Sequence, residues 1–362
     1  MVIPTTATTA LALVEPTPAE WSAFVERHSA GSLLQQEGWA RLKAAFGWES
    51  TRVAVIGSSG EDQPTILAGA LLLTRKRYGL AACYTPRGPL FSGEPTVDTL
   101  LISGLRRMAR RRRAVFLRLE PSVLESAPDA DTLHSWLLCQ GLRPCDPIQP
   151  RSTVQLDLLR PEEALFAGFS KGHRADIRRA ERQGVTVRVG GQADIAAFHQ
   201  IMTATAARAA FDIHAEAYYR QAWALFQPRS CLLLAEVAGE LVAAHMVFGG
   251  PQHGLYLYGG AIEAGLKAGA NHLLQWAAIR WVRELGCTSY DFWGIPDALG
   301  QAASSADADE RAALEAAAQS DPLIGVFRFK KGFGGAVVRY LPAYDDVLLP
   351  PLYALWRRRA EM

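Results

Sequence analysis

One order of elements runs twice along this chain and constrains its fold more than any single motif: helix, meander of strands, helix, strand. In the first block a helical opening from Pro18 to His28 precedes a second helix at Gln35–Phe46, where Trp39, Leu42 and Phe46 recur at spacings of three and four. Strands are predicted at Thr51–Ile56, Thr65–Thr74 and Ala81–Tyr84, then a helix at Val97–Arg112 and a strand at Ala114–Leu119. The second block begins near Val154. Its predicted helices are Pro161–Ala167, His173–Gln183, Gln192–Arg208 and His214–Phe226, and its strands Ser230–Val237, Leu241–Phe248 and Gly254–Gly259. A helix at Ala268–Leu285 and a strand at Ser289–Trp293 complete it.

This duplicated order fits the α/β (α+β) class, as two tandem acetyltransferase-like (GNAT) domains. A chain of 362 residues exceeds one ordinary core and suits two. The predicted division is an N-terminal tail over 1–17, a first domain over 18–150, a second over 151–345 and a C-terminal helix over 346–362. Pro144, Pro147 and Pro150 mark the linker. Within the second domain the Ala-rich, acidic stretch 297–322 reads as a surface insertion, a solvated helix with little apolar face. No heptad pattern is long enough for a coiled-coil arm.

The net charge of +2 conceals strong segregation. Between Arg75 and Arg118 stand eleven Lys or Arg and two acids, Glu94 and Asp98. Six arginines fall within Arg106–Arg113, and six more cations lie between Lys171 and Arg188 against Asp176 and Glu181. Such runs point to phosphates, RNA or an anionic membrane surface, with a solvated basic face as the competing explanation. The C-terminal run from Leu352 to Arg359 is aromatic and basic as well. Five scattered cysteines with no C-x-x-C pair argue for a reducing compartment. With no signal-like N-terminus and no apolar run of about 18 residues, a cytoplasmic location is expected.

Chemistry concentrates in the segment Gly325–Gly335, where Phe327, Arg328, Phe329, Lys330 and Lys331 run into Gly332, Gly334 and Gly335. Glycines let backbone approach a ligand and lysines supply charge, although a Lys-Lys-Gly run is also an ordinary solvated turn. The helix that should carry a coenzyme A turn reads Gly265-Leu266-Lys267-Ala268-Gly269-Ala270-Asn271. Leu266 replaces the expected Arg or Gln and Asn271 the last small residue, which favours another activated acyl donor. His134, His245, His253 and His272 show no metal-ligand spacing, and no metal is expected.

Several stretches together carry a family resemblance. They are Gln36 with Trp39 and Lys43, Tyr84-Thr85-Pro86-Arg87-Gly88-Pro89, Phe116-Leu117-Arg118-Leu119-Glu120-Pro121, and Lys171-Gly172-His173-Arg174 through Gly184-Val185. Arg208 with His214 and Tyr218, Tyr258-Gly259-Gly260, Asn271 to Trp276, Tyr290 to Gly294 and Phe327 to Gly332 follow in order. The chain thereby resembles the Fem family of peptidoglycan bridge-forming aminoacyltransferases. The resemblance implies transfer of an amino acid from aminoacyl-tRNA, the donor substrate, to the stem-peptide amine of a UDP-linked or lipid-linked muramyl peptide, with no cofactor. It also implies that Lys43 and Arg208 grip the precursor's diphosphate with Tyr258 as a hydroxyl partner. Lys330 would stabilise the tetrahedral oxyanion and Phe329 pack against the terminal adenosine of the tRNA. Glu120 occupies the place of an acid considered as a general base, with substrate-assisted proton transfer as the alternative. Arg87, Lys331 and Asp291 complete the substrate-binding candidates, Lys331 as a rival to Lys330 and Asp291 with the alternative duty of ordering a strand end. The tRNA donor gives the arginine run one reading and a membrane-bound acceptor gives it another, peripheral contact with the inner face of the membrane.

Two other classes compete with this expectation. One is an N-acyltransferase of the same fold that takes acyl-coenzyme A or an acyl carrier and modifies a sugar or amine. The other is a non-catalytic RNA- or membrane-binding module.

Overall fold

The structure, a computed structural model, describes residues 10–58, 64–209 and 212–360. Residues 1–9 of the expected tail and 361–362 of the expected C-terminal helix lie outside them. In chain order the elements are β1 (Ala10–Val14), α1 (Pro18–Arg27), α2 (Glu37–Ala45), β2 (Glu49–Ser58), β3 (Thr65–Arg77), β4 (Leu80–Thr85), α3 (Pro95–Arg111), β5 (Ala114–Leu119), α4 (Ala130–Cys139) and β6 (Arg143–Cys145). Next come β7 (Ser152–Asp157), α5 (Glu162–Gly168), α6 (Lys171–Arg182), β8 (Thr186–Gly190), α7 (Ile195–Ala209), α8 (Glu216–Leu225), β9 (Ser230–Val237), β10 (Glu240–Gly249) and β11 (His253–Ala261). The remainder are α9 (Glu263–Ala268), α10 (Ala270–Glu284), β12 (Ser289–Gly294), α11 (Asp297–Ser304), α12 (Ala308–Ala318), α13 (Ile324–Lys331), β13 (Ala336–Arg339), β14 (Ala343–Val347) and α14 (Pro350–Ala360).

These elements form two units, one of Met1–Gln149 with Tyr340–Met362, the other of Pro150–Arg339. The first holds a seven-stranded sheet in the order β1-β2-β3-β4-β5-β14-β6. Its parallel pair is β4 with β5, reached through the crossover helix α3, whose Val97, Leu101 and Leu105 bury against Val53, Ala70 and Leu117 of the sheet. The second sheet runs β13-β7-β12-β11-β10-β9-β8. Its parallel pair is β11 with β12, joined through α10, which buries Leu274, Ile279 and Val282. A meander, a helix and a parallel return strand thus occur in each unit, as the repeated sequence order predicts.

Several expectations need correction. The second domain was expected to run to 345, yet β14 pairs between β5 and β6 of the first sheet, and that unit regains the chain at Tyr340. The reason lies in the strand itself: Tyr344 is fully buried, and Asp345 accepts Arg118 Nε at 2.8 Å and Nη2 at 2.7 Å. Such a forked ion pair fixes register between segments distant in sequence. Part of the expected tail is the edge strand β1, paired with β2. The helix expected over Ala268–Leu285 is α10, and it starts just after Gly269, whose φ of 77° separates it from the short α9 and where a Cβ would strike the carbonyl of Asp176 on α6.

The acidic insertion divides too. Helix α12 is almost wholly exposed, as expected, but α11 buries Leu299 and Ala302 and is tied down by Asp297, which accepts Arg339 Nη2 at 2.8 Å. The segment Gly325–Gly335, for which a solvated turn was the competing reading, forms the helix α13 from Ile324 through Lys331. Its Ile324 and Phe327 pack on the core, and Lys330 falls three residues further along that same stripe.

Candidate functional site

Helix α13 carries Lys330 inward until the residue is only 6% exposed. Its Nζ donates to the carbonyl oxygens of Trp293, at 3.1 Å, and Gly294, at 2.6 Å, both at the end of β12. Burial pushes the ammonium down to about 7, and the nearby Asp291 pulls it back up. An ammonium has three protons, so two carbonyls leave one donor for another partner. Asp291 is itself buried and occupied: Oδ1 accepts from Thr153 Oγ1 and from the Trp293 amide at 2.7 Å, and Oδ2 accepts from Gln155 at 3.2 Å. Trp293 holds φ of 65°, a left-handed conformation costly for a bulky side chain. The strained turn is what presents two successive carbonyls to one cation.

An aromatic and imidazole cluster holds α13 in place. The His173 ring lies 2.7 Å, through Nε2, from the carbonyl of Phe329 and 3.0 Å, through Nδ1, from Ser170 Oγ. Phe329 packs between His272 and Phe333, with ring centroids at 5.0 and 5.3 Å. Gly332 permits this approach, since a Cβ there would collide with the His173 ring. Burial lowers the pKa of His173, so the neutral ring, donating from Nε2 and accepting at Nδ1, suits both neighbours. His173 was singled out in the sequence only as part of a motif, without a role. A serine three residues before it at a helix start was the available signal. Lys331, one residue past Lys330, is exposed, and its Nζ donates to the Gly335 carbonyl at 2.7 Å.

A second grouping in the same unit surrounds Tyr258. Its ring lies edge-on to Tyr219 at 5.1 Å and Tyr218 at 6.3 Å, and His214 stacks on Tyr218 at 3.8 Å. Burial first, and then the neighbouring Tyr218, raises the Tyr258 phenol well above its ordinary value, so it stays a neutral hydrogen-bonding group. Arg208, near the end of α7, is exposed and donates from Nη1 to the Ala261 carbonyl at 2.7 Å, at the end of the strand that bears Tyr258.

In the first unit, Glu120 follows β5 and is 4% exposed. One carboxylate oxygen accepts from the Tyr84 hydroxyl, the other from the amides of Ile148 and, at 3.2 Å, Gln149. Burial raises its pKa, and these hydrogen bonds and Arg87 oppose the rise. Arg87 is buried, with φ of 49° and its guanidinium 3.8 Å over the Tyr340 ring. Lys43, on α2, sits 4.6 Å over the Trp39 ring, and burial followed by Arg75 brings it down to about 8. The second unit thus gathers Lys330, Phe329 and Asp291 in one grouping and Arg208 with Tyr258 in another. Glu120 with Arg87 form a third set in the first unit.

The class of protein this fold defines is a tandem acetyltransferase-like one. The structure of a tandem GNAT protein from the clavulanic acid biosynthesis pathway matches with TM-score 0.51 at 14% identity, over 93% of this chain and 98% of that one. The crystal structure of FemX matches with TM-score 0.81 at 21% identity, over 95% of this chain and 99% of that one. A family model described as the FemAB family matches residues 16–135, 140–240 and 237–358, and the chain belongs to that family. A lipid II:glycine glycyltransferase of Staphylococcus saprophyticus is 24% identical over 408 residues, 92% of each chain.

Proposed function

We propose that this protein transfers an amino acid from aminoacyl-tRNA to the stem-peptide amine of a peptidoglycan precursor. Membership of the FemAB family across both units, with a full-length relative that is a lipid II:glycine glycyltransferase, supports the reaction class. The observation that carries the chemistry is the buried Lys330 ammonium, with two of its protons on carbonyls and the third unassigned by them.

An aminoacyl ester is already activated, so catalysis needs the amine placed, its proton removed and the tetrahedral oxyanion stabilised. Lys330 is assigned the last duty. Held at about 7 in the free protein, its ammonium gains most when negative charge develops beside it, a difference that favours the transition state over the ground state. Phe329 is assigned to pack against the acceptor-end adenosine, since aromatic faces stack on bases without sequence preference. Asp291 is given the positioning of the Trp293 turn, because hydrogen bonds occupy both of its oxygens. Glu120 is given no proton transfer for the same reason, and the amine proton passes through the substrate's own groups to the ribose oxygen of the tRNA, which leaves as the ester bond breaks and the amide bond forms.

Arg208 and Tyr258 are assigned to the acceptor's diphosphate, a bidentate cation and a neutral phenol suiting phosphate oxygens. Lys43 is assigned to acceptor affinity, remaining largely cationic at neutral pH despite its lowered pKa. Arg87 and Lys331 hold neighbouring backbone and ring groups in place. The acceptor is the UDP-linked or the lipid-linked muramyl peptide. The protein works in the cytoplasm, where aminoacyl-tRNA is found, with peripheral contact at the inner face of the membrane.

The test is transfer of radiolabelled amino acid from a mixed aminoacyl-tRNA pool to UDP-linked and lipid-linked muramyl pentapeptide. Label in either acceptor, abolished in Lys330→Met, is the expected result. Turnover with acyl-coenzyme A in place of aminoacyl-tRNA would overturn the donor assignment.

A further inference from the structure

The first unit contains a groove of about 600 Å³ that none of the assignments above uses. It lies where the β3–β4 hairpin tip, the end of α3 and the approach to α14 meet, and is lined by Tyr78, Leu80, Arg110, Arg113, Leu348 and Leu349. The arginine run of α3 divides around it. Arg106 turns inward to Asp346 and the Gln140 carbonyl, and Arg112 to Thr51 Oγ1 at 2.6 Å. Arg107, Arg110, Arg111 and Arg113 face solvent, and among the described residues their side chains form no salt bridge.

Cations in the last turn of a helix also complement its dipole, which would account for Arg110 and Arg111 alone. It does not account for Arg113, which holds φ of 57° at a helix-ending position where glycine is the usual residue. Nor does it account for the exposed apolar groups of the same unit. Tyr78, at φ of 51°, is 89% exposed at the hairpin tip with Arg77 beneath its ring. On α14, directly after Leu349, Leu352, Leu355 and Trp356 are exposed as well. The positive φ of Tyr78 belongs to the two-residue turn it makes with Gly79 between the paired Arg77 and Leu80, and that turn sets its ring at the outermost point of the hairpin.

We propose that this groove and its rim dock the protein on an anionic phospholipid bilayer, a lipid phosphate lying between Arg110 and Arg113 and the side chains of Tyr78, Leu352 and Leu355 entering the interface. Guanidinium groups pair with phosphate oxygens in a fork, tyrosine favours the headgroup level, and leucines gain by leaving water. RNA would satisfy the arginines and stack on Tyr78, but it offers nothing to exposed leucines. The proposal rests on the proposed function only in that a lipid-linked acceptor gives the protein a reason to reach a membrane.

The experiment is flotation of the full chain with vesicles of phosphatidylglycerol and phosphatidylcholine, and with vesicles of phosphatidylcholine alone. Arg110→Gln/Arg113→Gln and Tyr78→Ser/Leu355→Gln variants are run beside the wild type, and transfer to the soluble UDP-linked acceptor is measured for all three. Wild-type protein should rise with the anionic vesicles and not the neutral ones. The arginine variant should lose about tenfold or more in partition, because each basic side chain near an anionic surface contributes substantially. The Tyr78/Leu355 variant should lose several-fold, most clearly at high salt, where the apolar share dominates. Transfer to the soluble acceptor should stay within about twofold, which also certifies the fold. Wild-type protein that ignores anionic vesicles, or binds free inorganic phosphate without binding vesicles, overturns the proposal. An arginine variant that floats normally but loses affinity for aminoacyl-tRNA overturns it in favour of an RNA surface. Flotation without transfer to any acceptor would instead sink the proposed function and leave the docking surface standing.

Discussion

Glu120, after β5, and Lys330, against the end of β12, are buried ionisable groups at corresponding ends of the two parallel return strands, and the two are furnished differently. Around Glu120 the hydrogen bonds engage both oxygens, from a phenol and two backbone amides, so the charge serves to tie chain segments together. Around Lys330 two carbonyls leave one proton over, on a strained turn, at a pKa of about 7. One architecture thus supports a closed polar knot in one unit and a cation in reserve in the other. Fold alone does not choose between them; the neighbours of the charge do.

The sharpest way to break the comparison is to remove each group in turn. Lys330→Met should lower the transfer rate by about 100- to 1000-fold, the range found when an oxyanion donor is lost. Glu120→Gln should lower transfer to the soluble acceptor by less than tenfold, and equal losses in single-turnover assays would erase the distinction. Within the second unit, Arg208→Gln should raise KM for the acceptor by about tenfold with kcat little changed, separating grip from chemistry. Steady-state titration of the acceptor checks it, and a fall in kcat alone would move Arg208 into the reacting centre.

Stability should divide the pair the other way. Glu120→Ala leaves the Tyr84 hydroxyl and two amides without their acceptor, and should cost about 1–3 kcal/mol in urea unfolding. The remaining effect is one of pH. The Lys330 pKa falls from about 10.4 in the unfolded chain to about 7, so between those values the unfolded state binds more protons and stability rises with pH. The Glu120 pKa is raised, so its contribution is present below the ordinary carboxylate range and is lost as pH climbs through the folded value. Unfolding midpoints of wild type, Lys330→Met and Glu120→Gln across pH 4–10 should show each slope vanish with its own residue. A slope above pH 7 that survives in Lys330→Met would mean another group causes it.

Much of this arrangement was legible in the chain, and the limits have physical causes. The meander strands β2–β4 and β9–β11 read plainly, because each carries its own apolar pattern between turn signals. Strand β14 did not, since its place between β5 and β6 depends on pairing with residues far earlier in the chain, Phe116–Leu119 and Arg143–Cys145. At Gly269 both flanking segments are good helix formers, and the break is a left-handed glycine beside the Asp176 carbonyl, where a Cβ would not fit. Lys330 and Phe329 could be named from their motif, but three glycines suggested a turn and hid the stripe Ile324, Phe327, Lys330 that buries the lysine. For Glu120 two of the three partners are backbone amides at 148 and 149, groups every residue but proline possesses and no sequence advertises.

The position of β14 has a temporal meaning as well. A chain emerges from the ribosome in one direction, and folding units ordinarily close in that order. Here Pro150–Arg339 is complete as soon as its own last residue is free, whereas the sheet begun at Ala10 waits for Ala343–Val347 to enter between β5 and β6. The half of the molecule that is started first is therefore finished last, and until then the β5 edge stays open to any passing strand.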